Sequence, residues 1–326
     1  MRKMPLLIVD RLRTYYKTLR GYVKAVDGVN FSVDKREALG LAGESGCGKT
    51  TVALSILRIL PPNGEIIEGK ILLDSTDITK LDEDEMREKI RWKKVSIVFQ
   101  GAMNALNPVY SVGDQIVEAI RLHEPEVSKR EALERAAKLF ELVGIDPSRI
   151  TGYPHEFSGG MRQRAMIAMA LASNPSLLIA DEPATALDVI VAAQVLRLLK
   201  ELKDKLGLGM IQITHDLSII AELCEKTAIM YAGKIVEYGD VFTIFKNPLH
   251  PYTQGLMSSF PSVRAKEKVK LISIPGSPPD LLDPPSGCRF YPRCKFAMEV
   301  CRKEDPAFLE MDKGHFVACH LIERRR

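Results

Sequence analysis

One stretch of eight residues near the start of the chain constrains its fold more than any other: Gly43-Glu44-Ser45-Gly46-Cys47-Gly48-Lys49-Thr50. Glycines let backbone N–H groups turn inward around a phosphate, where a Cβ atom would collide. Lys49 can reach the β- and γ-phosphates, and the Thr50 hydroxyl suits Mg²⁺. The pattern therefore predicts a nucleotide phosphate loop. Its expected contacts come from these residues and the next: Gly43, Ser45, Gly46, Cys47, Gly48, Lys49, Thr50 and Thr51.

The residues on either side favour a strand before this loop and a helix after it. Residues 38–42 form a short apolar run, typical of a buried strand, and residues 50–60 have the apolar spacing of a helix that stops at Pro61. A helix N-terminus would therefore face the phosphates. Apolar runs and helical patterns continue to alternate as far as residue 214. This alternation predicts an α/β fold with a parallel sheet covered by helices.

Composition limits the classes of protein to which the chain can belong. The chain has 326 residues, enough for two domains, with 46% hydrophobic and 27% charged residues. A net charge of +4 is too small to indicate a nucleic-acid partner, and none is expected. No apolar run approaches the roughly 20 residues of a membrane span, and the N-terminus does not resemble a signal peptide. We expect a soluble cytoplasmic protein that would need membrane-spanning partners to act at a membrane.

A second candidate part of the site follows the apolar run at residues 177–180. Asp181 and Glu182 come directly after it, followed by Pro183. Ligands of open α/β sheets bind at the carboxyl ends of strands, where these two acids would lie. Asp181 can hold the hydration shell of Mg²⁺, and Glu182 can polarise an attacking water. A plain polar turn is the alternative if this pair is taken alone.

Further motifs resemble, in order and spacing, those of ATP-binding cassette (ABC) ATPases. After the phosphate loop come a Q-loop glutamine, a signature sequence, the acidic strand end, a D-loop and a switch histidine: Gln100, residues 157–164, Asp181-Glu182, Ala186-Leu187-Asp188 and His215. The resemblance implies a RecA-like P-loop NTPase core with an antiparallel β subdomain and an inserted helical subdomain at about residues 101–165. This ABC domain is expected to cover residues 1–240.

The resemblance also implies how ATP is bound. In the family, the signature binds the γ-phosphate of ATP held by the opposite subunit, which here assigns Ser158, Gly159 and Gly160 at the start of a helix. Asp188 of the D-loop is assigned to the same nucleotide site. Met161 stands where most signatures carry glutamine, and methionine there marks the peptide-importer branch.

Catalytic roles follow from the matched positions. Glu182 would activate the water, His215 would hydrogen-bond the γ-phosphate, and Gln100 would sense both Mg²⁺ and the water. Thr50, Gln100 and Asp181 are the expected Mg²⁺ contacts. The complete set predicts ATP hydrolysis.

The family also places an aromatic residue upstream of the phosphate loop, where it stacks on adenine. Alignment of Ala25-Val26 with the family's first strand assigns Tyr16 to this role. Tyr15 and Tyr22 are the alternatives, and all three could instead be surface tyrosines.

Four cysteines lie close together near the C-terminus: Cys288, Cys294, Cys301 and Cys319. In a reducing compartment such clustering favours a metal site over disulfides. Structural zinc sites usually have cysteines two to four residues apart, so the wider gaps here favour an iron–sulfur cluster. His315 and His320 keep zinc open as an alternative.

The end of the chain resembles the C-terminal extension of oligopeptide/dipeptide importer ATPases. The matching parts are His250-Pro251-Tyr252-Thr253, a proline-rich linker over residues 275–285, and Gly287-Cys288-Arg289-Phe290-Tyr291-Pro292-Arg293-Cys294. In some members four such cysteines bind a [4Fe-4S] cluster. The extension is expected over residues 241–326.

The resemblance predicts the ATPase of an importer for peptides or a related solute, acting at the cytoplasmic face of the cell membrane. Its partners would be a second cassette (a heterodimer, with a homodimer possible), two transmembrane permeases and an extracytoplasmic solute-binding protein. The alternatives are a sugar or nickel importer ATPase, a non-transport ABC ATPase of repair or translation, and a metal-binding scaffold.

Overall fold

The computed structural model describes residues 4–101, 105–258 and 274–324. Their contacts group the chain into two compact units. The strand-rich unit comprises Leu7–Ser32, Leu39–Asp77 and Ile213–Arg326, and the helical unit comprises Met1–Leu6, Val33–Ala38 and Ile78–Gln212. These units follow contacts in space, so the predicted boundary after residue 240 stays a prediction.

The described residues contain twelve strands and eleven α-helices. The strands are β1 (Leu7–Thr18), β2 (Gly21–Val33), β3 (Ala38–Ala42), β4 (Gly64–Leu73), β5 (Thr76–Asp77), β6 (Val95–Val98), β7 (Leu177–Asp181), β8 (Gly209–Thr214), β9 (Lys226–Tyr231), β10 (Lys234–Asp240), β11 (Phe308–Asp312) and β12 (His315–Ala318). The helices are α1 (Lys49–Leu57), α2 (Glu83–Glu85), α3 (Val112–His123), α4 (Lys129–Leu142), α5 (Gly159–Ala170), α6 (Val189–Leu206), α7 (Leu217–Leu223), α8 (Val241–Lys246), α9 (Pro251–Ser258), α10 (Glu299–Lys303) and α11 (His320–Glu323).

Two long strands open the strand-rich unit, since β1 has 12 residues and β2 has 13. They join an antiparallel sheet in the order β2-β1-β4-β5. The register between β1 and β4 shifts between Asp10 and Arg13, and Arg11 has a φ of 48° there. Opposite this bulge, a Cβ atom on Gly69 would meet the Arg11 carbonyl oxygen at 2.6 Å. The bulge lets one strand continue past an irregular point instead of ending there.

A second set of strands in the same unit positions the phosphate loop. The order is β11-β12-β10-β9-β3, with β3 parallel to β9 and β10 antiparallel to β9. Every residue of β3 is buried. Strands β9 and β10 form a hairpin about Ala232-Gly233, in which Tyr231 pairs with Lys234. The chain near the C-terminus thus extends, through β11 and β12, the sheet whose strand β3 leads into the loop.

The helical unit contains the parallel pair β6 and β7, and all five residues of β7 are buried. Helix α3 packs on α4 and α5, and α5 packs on α6. Serines cap three of these helices, because the hydroxyls of Ser111, Ser128 and Ser158 each accept a hydrogen bond from a backbone N–H three residues on. Among the described residues, no helix is long and apolar enough to cross a membrane.

Candidate functional site

The phosphate loop has the backbone shape that its glycines predict. Gly43, Gly46 and Gly48 have φ values of 152°, 76° and 106°, which residues other than glycine rarely adopt. A Cβ atom on Gly43 would lie 2.1 Å from the Met230 carbonyl oxygen, and one on Gly48 would lie 2.1 Å from the Ala25 carbonyl oxygen. A Cβ atom on Gly46 would meet nothing within 4 Å. The outer two glycines are therefore required by packing, and Gly46 borders open space.

Lys49 lies inside the loop that it is expected to serve. Its ammonium donates hydrogen bonds of 2.7 Å to the Gly43 carbonyl and 3.0 Å to the Glu44 carbonyl, and the residue is 6% exposed. Its Nζ atom lies 3.6 Å from the sulfur of Cys47. Burial raises the pKa of this cysteine thiol, so it stays protonated at neutral pH. The loop thus encloses one buried cation, as an anion-binding site requires.

The next two residues and Tyr16 lie against the start of α1. Thr50 is exposed on the first turn, whereas Thr51 is buried. The Thr51 hydroxyl shares a hydrogen bond of 3.1 Å with the Tyr16 hydroxyl. Tyr15 instead donates its hydroxyl proton to Asp27 at 2.8 Å, and Tyr22 is 43% exposed. Of the three tyrosines considered for adenine stacking, Tyr16 is the one hydrogen-bonded beside the loop.

The acidic strand end is built around Glu182 in the helical unit. Asp181 ends β7 and is 3% exposed, and Glu182 follows with a φ of 46°, in the left-handed region. The Glu182 carboxylate accepts hydrogen bonds of 3.1 Å from the Gln100 amide and from the Thr185 hydroxyl. Non-glycine residues seldom occupy this backbone region, and such conformations cluster at functional sites. The turn therefore brings two predicted site residues, Gln100 and Glu182, into direct contact.

The signature begins α5 as expected. The Ser158 hydroxyl caps the helix by accepting the Met161 N–H at 3.3 Å, and Ser158 is exposed. Gly159 and Gly160 are its first two residues. A Cβ atom on Gly160 would lie 2.5 Å from Val191 Cγ1, so a glycine allows α5 and α6 to approach closely. Ser158 is exposed and the two glycines are half-buried, so the N-terminus of α5 has a hydroxyl and backbone N–H groups of the kind that bind an anion.

Asp188 and His215 occupy the ends of other elements. Asp188 caps α6, because its carboxylate accepts the Ile190 and Val191 N–H groups at 3.1 and 3.0 Å. His215 is exposed and directly follows β8. Their predicted roles toward nucleotide stay predictions.

The four clustered cysteines lie around one small cavity, which also contacts His320. Backbone N–H groups donate to three of their sulfurs: Phe290 to Cys288, Phe296 to Cys294, and Leu321 with Ile322 to Cys319. Burial raises the pKa of Cys288 to about 12 and also raises the pKa of the Cys294 and Cys319 thiols. None of the four forms a disulfide.

The described residues contain no group of three or more His, Cys, Asp or Glu side chains arranged to hold a metal ion. The two histidines that were considered as zinc ligands have other hydrogen-bond partners. His315 Nε2 lies 2.8 Å from the Glu237 carboxylate, and His320 Nε2 lies 2.9 Å from the Glu304 carbonyl oxygen. A metal at the four cysteines therefore remains a prediction.

Two residues that contact Glu44 of the phosphate loop, and one nearby arginine, were not predicted from the sequence. Arg293 pairs with Glu44 of the loop, and the Tyr252 hydroxyl accepts the Glu44 N–H. Arg289 pairs with Asp27. The only signal was that these residues stand in the two C-terminal motifs, whose resemblance carries no hint of a contact with the loop.

Two family models match the chain. Residues 26–185 match the ABC transporter family, and residues 236–301 match the C-terminal region of oligopeptide/dipeptide transporters. The second match covers Cys288, Cys294 and Cys301.

Curated relatives match nearly the whole chain. A probable peptide ABC transporter ATP-binding protein of Sinorhizobium fredii is 48% identical over 96% of this chain and 94% of its own length. A dipeptide transport ATP-binding protein of Caldanaerobacter subterraneus subsp. tengcongensis is 44% identical over 98% and 97%. An oligopeptide transport ATP-binding protein of Bacillus subtilis is 46% identical over 97% and 89%.

Solved structures share the fold. The ATP-binding cassette MJ0796, in a dimeric post-hydrolysis state bound to ADP and Pi, matches with a TM-score of 0.63 and 27% identity, over 72% of this chain and 98% of that one. The cassette cbiO1 from Clostridium perfringens matches with a TM-score of 0.64 and 26% identity, over 75% and 92%. The predicted α/β P-loop NTPase fold, with its antiparallel β subdomain and helical region, is confirmed.

Proposed function

The chain belongs to the family of ATP-binding subunits of oligopeptide/dipeptide ABC transporters, and on this premise we propose that it hydrolyses ATP to drive the import of peptides. The observation that carries the proposal is the phosphate loop of the strand-rich unit. The glycine cradle around Lys49 is shaped for phosphate, and Gln100 contacts Glu182 at the end of a buried strand. Relatives named for peptide, dipeptide and oligopeptide transport support the substrate class.

ATP binding is assigned to the loop and to Tyr16. Backbone N–H groups of the glycine-rich loop surround the phosphates, and Lys49 exchanges its carbonyl contacts for phosphate oxygens. Tyr16, hydrogen-bonded beside the loop, stacks on adenine. The proposed Mg²⁺ contacts are the oxygens of Thr50, Gln100 and Asp181, a donor type that this ion prefers. Bound Mg²⁺ neutralises charge that develops on the phosphates.

Glu182 is the proposed general base. Its carboxylate accepts a proton from the attacking water. The side-chain amide of Gln100, which donates a hydrogen bond to this carboxylate, orients the carboxylate and the water. His215 donates a hydrogen bond to the γ-phosphate oxygens, where negative charge grows in the transition state. The left-handed backbone at Glu182, together with the hydrogen bonds from Gln100 and Thr185, fixes the direction of the carboxylate.

The proposed arrangement requires a second cassette. The helix N-terminus at Ser158, Gly159 and Gly160 binds the γ-phosphate of ATP on the partner's loop, and the partner's signature does the same here. Asp188 lies at the D-loop position of the same interface. The dimeric MJ0796 structure supports such a dimer, and a heterodimer with a related cassette is our preferred form.

Import also requires proteins that cross the membrane. We place the chain on the cytoplasmic side, attached to two transmembrane permeases that receive peptide from an extracytoplasmic solute-binding protein. Closure of the cassettes on ATP would turn the permeases outward, and hydrolysis would reset them.

The four cysteines are proposed to bind a [4Fe-4S] cluster. Four thiolates are the donors that such a cluster takes, and backbone N–H···S hydrogen bonds of the kind found here stabilise thiolate charge. In a cluster each thiolate binds a different iron, so the ligands need not converge on one ion. A zinc ion would require that convergence, which the described residues lack. The bound cluster would supply folding energy to a segment with few apolar residues.

Purification without oxygen tests the cluster. A brown protein with iron and sulfide in equal amounts is expected, and serine at all four cysteine positions should remove the colour. A colourless protein that contains zinc would contradict the cluster.

Peptide uptake tests the transport function. In cells that lack the gene for this chain, uptake of a radiolabelled di- or oligopeptide should fall and should be restored by the wild-type chain but not by Glu182→Gln. Unchanged uptake of every peptide length tested, with the wild-type chain present or absent, would contradict peptide import.

A further inference from the structure

Arg293 forms a two-armed ion pair with the phosphate loop. Its Nη1 and Nη2 atoms lie 2.7 and 3.0 Å from the two carboxylate oxygens of Glu44. The Arg293 side chain is 5% exposed, and its Nε donates to the Pro275 carbonyl at 2.8 Å. Nη1 also lies 3.3 Å from the Tyr231 hydroxyl. The planar guanidinium is therefore held from several sides, and it holds Glu44 in a fixed geometry.

Glu44 is engaged at three points, each from a different part of the strand-rich unit. Its carboxylate pairs with Arg293, its N–H donates to the Tyr252 hydroxyl at 2.9 Å, and its carbonyl accepts from the Lys49 ammonium at 3.0 Å. Tyr252 is fully buried on α9. A shift of Glu44 would therefore move the carbonyl that contacts Lys49, the residue expected to reach the phosphates.

A second arginine, Arg289, lies four residues before Arg293 and contacts residues next to the loop. Arg289 pairs with Asp27 and donates to the Ala232 carbonyl. The next residue, Gly233, donates its N–H to the Cys47 carbonyl of the loop at 2.9 Å. Both arginines lie between Cys288 and Cys294. The cysteine-rich segment (residues 288–319) thus contacts the loop directly through Arg293 and is connected to it indirectly through Arg289, Ala232 and Gly233.

The charge of Glu44 gives the Arg293 contact a role beyond packing. A carboxylate within an anion-binding loop repels the phosphates that the loop must accept. Arg293 neutralises this carboxylate with a buried cation and two hydrogen bonds. Removal of Arg293 alone would leave the negative charge in the loop, whereas removal of both charges would not.

We infer that Arg293 is a positioning residue for ATP: it holds Glu44 in the phosphate loop and cancels its charge, so that nucleotide affinity depends on the cysteine-rich segment. This role rests on the proposed ATP site.

The test is a double-mutant cycle on the full chain, with MgATP affinity measured by titration of a fluorescent ATP analogue. Arg293→Gln should raise the Kd about tenfold, the size expected for loss of a charge-assisted pair, and should leave kcat at saturating ATP near wild type. Glu44→Gln/Arg293→Gln should recover most of the lost affinity, because no uncompensated carboxylate remains. Lys303→Gln is the matched control, since it breaks an exposed ion pair with Glu299 in the same segment without touching the loop.

A purely structural role for Arg293 would give a double variant that binds no better than Arg293→Gln, and this result would overturn the inference. So would a wild-type Kd for a folded Arg293→Gln. If Arg293→Gln does not fold, Arg293→Lys carries the test: it keeps the charge but loses one arm, and an unchanged Kd again overturns the inference. A wild-type chain that fails to bind MgATP would instead refute the proposed ATP site.

Discussion

The side-chain amide of Gln100 donates a hydrogen bond of 3.1 Å to the carboxylate of Glu182, which lies 82 residues further along the chain. The end of β7 thus supplies Glu182, the proposed base, and the residues after β6 supply Gln100, which orients it. The contact is internal to the helical unit.

Gln100→Ala should lower the kcat for ATP hydrolysis about tenfold, because Glu182 loses the donor that orients its carboxylate. The affinity for MgATP should fall by less than the kcat, because Thr50 and Asp181 keep two of the three proposed Mg²⁺ contacts. Steady-state kinetics measures both quantities. Gln194→Ala, an exposed glutamine on α6 of the same unit, is the control. A Gln100→Ala variant with wild-type kcat would rule out this role.

Lys49→Ala should weaken nucleotide binding itself. Loss of a buried ammonium that contacts phosphate is expected to raise the Kd of MgATP ten- to about a hundredfold. Lys70→Ala removes an exposed lysine of the strand-rich unit and should leave the Kd unchanged. Equal affinities of Lys49→Ala and wild type would place the phosphates elsewhere.

Tyr16→Ala should raise the Kd of MgATP roughly tenfold, because stacking of an aromatic ring on a base contributes about 1–3 kcal/mol. Tyr16→Phe should bind nearly as well as wild type, since the ring is kept and only the hydrogen bond to Thr51 is lost. Tyr22→Ala tests the alternative ring. If Tyr22→Ala weakens binding and Tyr16→Ala does not, the assignment of Tyr16 is wrong.

His250 should make the chain less stable in mild acid. Burial lowers its pKa from 6.5 to about 4 in the folded protein. Between these values the unfolded chain binds the extra proton, so the free energy of unfolding falls as the pH drops below 6.5. The loss from this group at pH 5 is about 2 kcal/mol relative to pH 7.

Urea unfolding at pH 7 and pH 5 measures this loss. In His250→Asn the amide oxygen can still accept the Tyr252 N–H that His250 Nδ1 accepts at 3.0 Å, but the titrating ring is gone. The variant should therefore lose about 2 kcal/mol less than wild type between the two pH values. The same pH dependence in both proteins would show that His250 does not titrate as described.

The sequence predicted those parts of the site that depend on local spacing. The glycines of the loop, the acids at the end of β7 and the cap at Ser158 each follow from residues close together in the chain, so their motifs can be recognised in the sequence. The pairing of Arg293 with Glu44 joins residues 249 positions apart, and no periodic pattern encodes an ion pair between them.

Other features escaped prediction for similar reasons. The register shift near Arg11 depends on the close approach of Gly69 in another strand. The charged stretch over residues 80–94 forms only the short α2 and a π-helical turn at Met86–Ile90, with Met86 and Ile90 buried. A charge pattern does not reveal the packing of these two side chains.

The rate of ATP hydrolysis by Glu182→Gln is the most direct measurement of the proposed chemistry. Glu201→Gln, an exposed glutamate on α6 that pairs with Arg197, is the matched control. Glu182→Gln should bind MgATP but lose about 10²- to 10⁴-fold in kcat, because an amide cannot accept the proton of the attacking water. ATP hydrolysis by Glu182→Gln at the rate of wild type and of Glu201→Gln would contradict the role of Glu182.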